Sequence, residues 1–266
     1  MGGKILYATD LRRPSSKVLE GLSGFSDIGF KEIIFLCVID EKKDKRDAAL
    51  ELFEQWKERL NGYGLKATIK IDSGDLSSSV LSTIHENQIS FAVVHFDKKK
   101  RRILFGDPIV KKLIKEASVP VLIVDKDETG LKLTSKGAFE RVLFATDWSQ
   151  ASEKALQIIL GFKQLINELD IVNVIHKKLT VRDLRRLMEK LRETRNKCLK
   201  EGIDTEYHVY AGKTVDEIIL AAQDYNSTSI VMGTTSGQSF KDIIIGKPSC
   251  RVVERTPVPA LLVPFR

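Results

Sequence analysis

Three segments of the chain recur in the same order and at nearly one spacing. Lys4-Ile5-Leu6-Tyr7-Ala8-Thr9-Asp10 returns 137 residues later as Arg141-Val142-Leu143-Phe144-Ala145-Thr146-Asp147. Gly106-Asp107-Pro108 returns after 140 residues as Gly246-Lys247-Pro248. Val119-Pro120-Val121-Leu122-Ile123-Val124 returns after 139 as Val258-Pro259-Ala260-Leu261-Leu262-Val263. Chance similarity between apolar strands produces one such match, not three in register, so the chain is two copies of one unit. Its 266 residues therefore divide into copies of roughly 130, and any fold proposed for the chain has to close within that length.

Each copy alternates short Val- and Ile-rich runs with amphipathic stretches. The spacing predicts strands over 141–146, 169–175, 205–210, 228–232 and 259–263, with helices over 150–167, 180–201, 214–225 and 248–255. Continuous apolar runs of this kind suit strands buried on both faces. Ala151, Ala155, Leu156, Ile159 and Phe162 fall at three- and four-residue intervals and mark one face of the first helix. The first copy repeats the order, with strands over 4–9, 31–39, 66–71, 90–95 and 120–124. Strand–helix alternation ending on a strand predicts a five-stranded parallel α/β sheet in each copy. The polar segment from Asp125 to Lys136 reads as a connection, giving domains over 1–126 and 139–266 and a linker over 127–138.

Open parallel sheets bind ligands beyond the carboxyl ends of their strands, where strand order reverses. The second copy places a run of small residues there, after its fourth strand: Met232-Gly233-Thr234-Thr235-Ser236-Gly237. Such residues let the backbone come close to a ligand and present N–H groups. Gly246-Lys247-Pro248-Ser249 then opens a helix, with Pro248 suited to the first helical position. A helix N-terminus favours an anion, and Lys247 adds a positive charge.

The repeated unit resembles a universal stress protein domain, whose nucleotide-binding members carry G-x-x-G, nine residues, then G-[S/T]. Gly233 and Gly246 hold the outer glycines at the family spacing of 13; Ser236 replaces the middle glycine, Gly237 comes one place late, and Lys247 replaces the final Ser/Thr. Ala145-Thr146-Asp147 and Asn173-Val174-Ile175 are similar to the family's first and second strand ends. The resemblance implies two tandem Rossmann-like, adenine-nucleotide-binding (HUP-type) domains. It further implies that Asp147 and Val174 contact adenine and ribose. Gly233 and the turn from Gly246 to Ser249 would hold ribose and phosphates. The expected nucleotide site is thus Ala145, Thr146, Asp147, Val174, Met232, Gly233, Thr234, Ser236, Gly237, Gly246, Lys247, Pro248 and Ser249, taking ATP or AMP with or without Mg²⁺. Family members pair through the last strand, which implies that Pro120–Val124 and Pro259–Val263 lie together in an intrachain pseudo-dimer, itself able to dimerise.

The first copy keeps neither early glycine. With His95 aligned to Gly233, its loop to Gly106 spans 11 residues, and Asp107 stands where Lys247 does. An aspartate there caps the helix and repels phosphate. The first copy is therefore expected to have lost the ordinary site.

Other features are less directed. The segment 177–200 carries ten Lys/Arg against three acids, a surplus equal to the whole chain's +7. With Leu184, Leu187, Met188 and Leu191 as its buried stripe, it reads as a solvated helix. Lys98 to Arg102 reads as a solvated basic loop. No nucleic-acid-binding signature accompanies either, so a nucleic-acid partner is not expected. The dispersed histidines and three cysteines lack metal spacing, and the odd cysteine count suits a reducing compartment. No apolar run approaches membrane-span length and no signal-peptide block opens the chain, which predicts a cytoplasmic protein without membrane contact. Neither a nucleophile elbow nor a complete P-loop is present. The expected role is a stress-response sensor or protective factor; a nucleotide-independent module with an unknown protein partner and a weak ATP hydrolase are the alternatives.

Overall fold

The computed structural model describes residues 2–10, 21–39, 46–96, 108–125, 137–234 and 248–265. The first half runs β1 (Gly3–Thr9), β2 (Phe30–Ile39), α1 (Arg46–Gly62), β3 (Lys66–Ser73), α2 (Leu76–Glu86), β4 (Ile89–Phe96), α3 (Pro108–Glu116) and β5 (Val121–Asp125). The second runs β6 (Arg141–Ala145), α4 (Gln150–Gly161), β7 (Glu168–Ile175), α5 (Val181–Lys200), β8 (Asp204–Ala211), α6 (Thr214–Asp224), β9 (Ser229–Thr234), α7 (Pro248–Arg255) and β10 (Ala260–Pro264).

All ten strands form one sheet in the order β3-β2-β1-β4-β5-β10-β9-β6-β7-β8. Within each half the pairing is parallel and the order is the same, so the repeat in sequence is a repeat in topology. The halves meet where β5 and β10 pair antiparallel, Ala260 opposite Ile123, Leu261 opposite Leu122 and Leu262 opposite Val121. The last strands therefore lie together as their likeness implied, and the two expected sheets are one.

Helices cover both faces, as the crossovers of a parallel sheet demand. One face buries Tyr7, Phe35, Phe53 and Trp56 with Phe144, Ala155, Ile159, Leu187 and Leu191, under α1, α4 and α5. The other buries Leu6, Val80, Ile109 and Leu113 with Leu143, Ile218, Ala221 and Val252, under α2, α3, α6 and α7. Rings cross between the halves on the first face: the Phe25 centroid lies 5.8 Å from that of Phe162 and 6.1 Å from that of Phe139, both edge-on. Such pairs contribute about 0.5–1.5 kcal/mol each beyond their buried area, so the halves hold one another by packing as well as by the β5–β10 ladder.

Two helical expectations shift. α4 stops at Gly161, not at 167, because Phe162 leaves helical geometry as the C-cap and turns its ring into the core. Leu184 is 43% exposed, not part of the α5 stripe, which continues instead through Thr194 and Cys198.

Strand order reverses between β1 and β4 in the first half and between β6 and β9 in the second. These are the places where a ligand would enter.

Candidate functional site

The end of β6 is built as a rigid corner. Thr146 N–H donates to Val172 O (3.0 Å), continuing the ladder one residue past the strand. The Asn173 amide nitrogen donates to Thr146 O (2.8 Å), and because a carbonyl only accepts, this fixes which end of the amide faces the corner. Trp148 has φ +55°, the left-handed region, at a cost of order 1 kcal/mol for a bulky residue. Its N–H donates to Thr146 Oγ1 (3.1 Å), one of the bonds holding that turn.

Asp147 Oδ1 accepts from Ser149 N–H (2.9 Å) and from Ser152 Oγ–H (2.7 Å). Ser149 caps α4, its Oγ accepting from Ser152 N–H (3.3 Å). Partial burial raises the Asp147 pKa, but the hydrogen bonds from Ser149 and Ser152 outweigh it and hold the carboxyl below its ordinary value. Asp147 is therefore an ionised acceptor at neutral pH, oriented by the first turn of α4.

Gly233, at the end of β9, faces that same turn. A Cβ there would stand 2.5 Å from Ser152 N and 2.7 Å from Ala151 O, and would overlap the Ala151 carbonyl carbon. The glycine is required by the approach of α4 before any ligand is considered. The small residue read as room for a ligand is first of all room for a helix.

A cavity of about 770 Å³ opens over this corner, crossing the carboxyl edge of the sheet. On the α6–α7 face its walls are apolar: Val172, Val174, Ile218 and Met232, with Thr214, Pro248 and Ser249. On the α5 face they are Trp148, Leu179 and Leu187 with Lys177, Asp183, Arg186 and Lys190. Ala145, Thr146, Asp147, Asn173 and Gly233 form the floor along the strand ends. A flat apolar group suits the first wall, and the N-terminal end of α7 suits an anion on that same side.

Of the site residues expected from sequence, Ala145, Thr146, Asp147, Val174, Met232, Gly233, Pro248 and Ser249 line this one cavity. Thr234 does not. It is buried, its hydroxyl donating to Val263 O (3.4 Å) on β10. Ser236, Gly237, Gly246 and Lys247 lie outside the described residues, as does the first copy's loop over 97–107.

Sequence reasoning missed the α5 wall. Asp183, Arg186, Leu187 and Lys190 fall three and four apart, the helical spacing of a shared flank, but nothing in a basic amphipathic helix says which flank meets a cavity. Trp148 joins the two: its ring lies 5.5 Å under Lys190 Nζ and its Nε1–H reaches Thr194 Oγ1 (3.5 Å).

The first copy differs where the register permits direct comparison. Ala8 pairs with Val94 and Thr9 with His95, as Ala145 pairs with Met232 and the next step reaches Gly233. His95 also opposes Val124 as Gly233 opposes Val263. Where the second copy has no side chain, the first has a fully buried imidazole whose Nδ1 meets Tyr7 OH at 2.8 Å. Burial pushes its pKa down to about 4, a backbone contact at Asp125 opposing, so the ring is neutral at pH 7.

Among the described residues no cluster of three or more His, Cys, Asp or Glu is placed to hold a metal, and no helix is long and apolar enough to cross a membrane.

Comparison with known proteins is consistent along the chain. The profile of the Universal stress protein family matches residues 138–264. Universal stress protein Slr1230 of Synechocystis sp. is 22% identical over 274 residues, covering 98% of this chain and 90% of that protein. Universal stress protein MJ0577 of Methanocaldococcus jannaschii is 24% identical over 153 residues, covering 47% of this chain and 94% of that protein. The crystal structure of a universal stress protein from Archaeoglobus fulgidus superposes with a TM-score of 0.75 at 26% identity, covering 98% of this chain and 96% of that one.

Proposed function

Because the chain belongs to the universal stress protein family, we propose that it binds an adenine nucleotide, AMP or ATP, in the cavity of its second half. The binding state would make the protein a nucleotide-responsive sensor or protective factor. The observation that carries this reading is the convergence of Asp147, Val174, Met232, Gly233 and the start of α7 on one cavity. Sequence alone could only align these residues with a family pattern whose middle glycine and final Ser/Thr are replaced.

The chemistry fits residue by residue. The base lies against Val174, Met232 and Ile218, removed from water by apolar side chains. The ionised Asp147 accepts from ribose hydroxyls. The first turn of α7, with the Ser249 backbone and hydroxyl, takes the phosphate end, and Lys247 stands next to it in sequence as a point charge. Asp147 is also the carboxylate available to a Mg²⁺ that arrives with a triphosphate. In the first half, the His95 imidazole occupies the place of Gly233, and Asp107 precedes α3 where Lys247 precedes α7. Both changes favour a single nucleotide per chain.

Mass spectrometry of small molecules released from the purified, denatured protein tests the reading. Stoichiometric AMP or ATP supports it. A preparation that releases none and takes up none on addition refutes it and favours a nucleotide-independent interaction module.

A further inference from the structure

The proposed nucleotide uses only part of its cavity. The base wall and the start of α7 lie on one face of the sheet, with Val172, Val174, Ile218 and Met232 all in or against the core under α6 and α7. The α5 wall lies on the opposite face, beyond Asp147 and Asn173. A nucleoside with its base on the first wall and its 5′ phosphate at α7 has its ribose over the strand ends. Its remaining ribose substituents then face α5. The volume of about 770 Å³ lies in the upper part of the roughly 300–1,000 Å³ typical of small-molecule sites, which leaves that side room for a group of its own.

The α5 side is cationic. Lys177, Arg186 and Lys190 line it against one carboxylate, Asp183. That carboxylate already accepts from Thr180 Oγ1–H (2.6 Å) as part of the α5 cap. Arg186 and Lys190 are one helical turn apart and project from the same flank. Lys190 is steadied over the Trp148 ring, and Trp148 is fixed by the rigid corner after β6. A guanidinium and an ammonium at this spacing are matched to the several oxygens of one phosphate. A bare ribose hydroxyl uses neither charge.

We infer that the second-half cavity holds two anion-binding subsites on opposite faces of the sheet, and that its ligand class is an adenine nucleotide carrying a second phosphate on the ribose 2′ or 3′ position, held by Arg186 and Lys190. The inference rests on the nucleotide reading and narrows it. Lys177 contributes longer-range attraction, and Asp147 with Asp183 set the limit on how tightly a further anion is held.

The test is a pair of equilibrium titrations of the full chain, with AMP and with adenosine 3′,5′-bisphosphate, repeated with the 2′,5′ isomer. One or both bisphosphates are expected to bind about tenfold or more tightly than AMP, with the ratio falling as salt rises. In the Arg186→Ala/Lys190→Ala double variant the ratio collapses towards one, and in Arg186→Glu it inverts; both side chains are exposed, so neither change opens the core. If AMP binds and neither bisphosphate binds more tightly, or if the preference survives the double variant, the inference is wrong and the nucleotide reading stands. If no nucleotide binds, both fall.

Discussion

Acidification is expected to weaken this fold through His95. The imidazole is fully buried on β4, with Tyr7 OH 2.8 Å from Nδ1. Burial lowers its pKa from 6.5 to about 4 in the folded protein, with a backbone contact at Asp125 opposing. Below pH 6.5 the unfolded chain binds a proton that the folded chain refuses, so stability falls as pH drops through that window and levels off beneath the folded value. At about 1.4 kcal/mol per unit, the group alone removes about 2 kcal/mol between pH 6.5 and 5, and roughly 3 kcal/mol by pH 4. Carboxylates titrate in the lower part of this range, so the assay is a difference: urea unfolding of the wild type and of His95→Gln at a series of pH values from 7 to 5. Glutamine keeps a polar partner for Tyr7 and carries no titrating group. The variant starts less stable at neutral pH, and the gap is expected to narrow by about 2 kcal/mol on acidification. A gap that stays constant over this window would show that His95 titrates normally and is not sealed at the position that Gly233 holds in the second half, which would remove the structural reason for treating the two halves as unequal.

Four further outcomes follow from named contacts. Gly233→Ala pushes a methyl into the α4 backbone at Ala151 and Ser152, and is expected to cost about 1–3 kcal/mol in urea unfolding and to weaken nucleotide binding with it. Asp147→Asn loses the ionised acceptor that Ser149 and Ser152 orient, and is expected to weaken AMP binding about tenfold in an equilibrium titration. Asp75 caps α2, accepting from Ser77 Oγ–H (2.6 Å), Ser78 Oγ–H (2.7 Å) and Ser78 N–H (2.9 Å) near Lys112. Although burial opposes, these bonds lower its pKa to about 2, so Asp75→Ala is expected to cost about 1 kcal/mol at neutral pH, an advantage lost as pH falls from near 4 through 2. Of the two tryptophans, Trp148 lines the cavity while Trp56 is buried on the inner face of α1, so AMP should change the emission of the wild type but not of Trp148→Phe.

The repeat made most of the fold legible. Two copies, each with five buried apolar runs separated by amphipathic stretches, leave few arrangements beyond a parallel sheet covered on both faces, and all ten expected strands are present within two residues at either end. What sequence could not mark were departures set by tertiary contact. Phe162 has the right period to continue α4, yet ring packing with Phe25 and Phe139 turns it out of the helix. Leu184 has the period of the α5 stripe but lies past the edge of the core it would cover. In the site, residues on strand ends line one cavity because a strand end has one position at the sheet edge. Thr234 belongs to the motif, but its side chain is buried with its hydroxyl on Val263 O of β10. Arg186 and Lys190 were hidden for the opposite reason: a helix with cations around much of its surface gives no sign of which flank borders a cavity. Gly233 was found for a reason that was incomplete, since the backbone it admits belongs to α4.

The central claim is that one half of this duplicated chain binds an adenine nucleotide and the other does not. Calorimetric titration of the intact protein with AMP, after any carried nucleotide has been removed, measures it directly. A single saturable site per chain, abolished or strongly weakened by Asp147→Asn, is the result expected. Two equivalent sites, or a single site indifferent to Asp147, would contradict it.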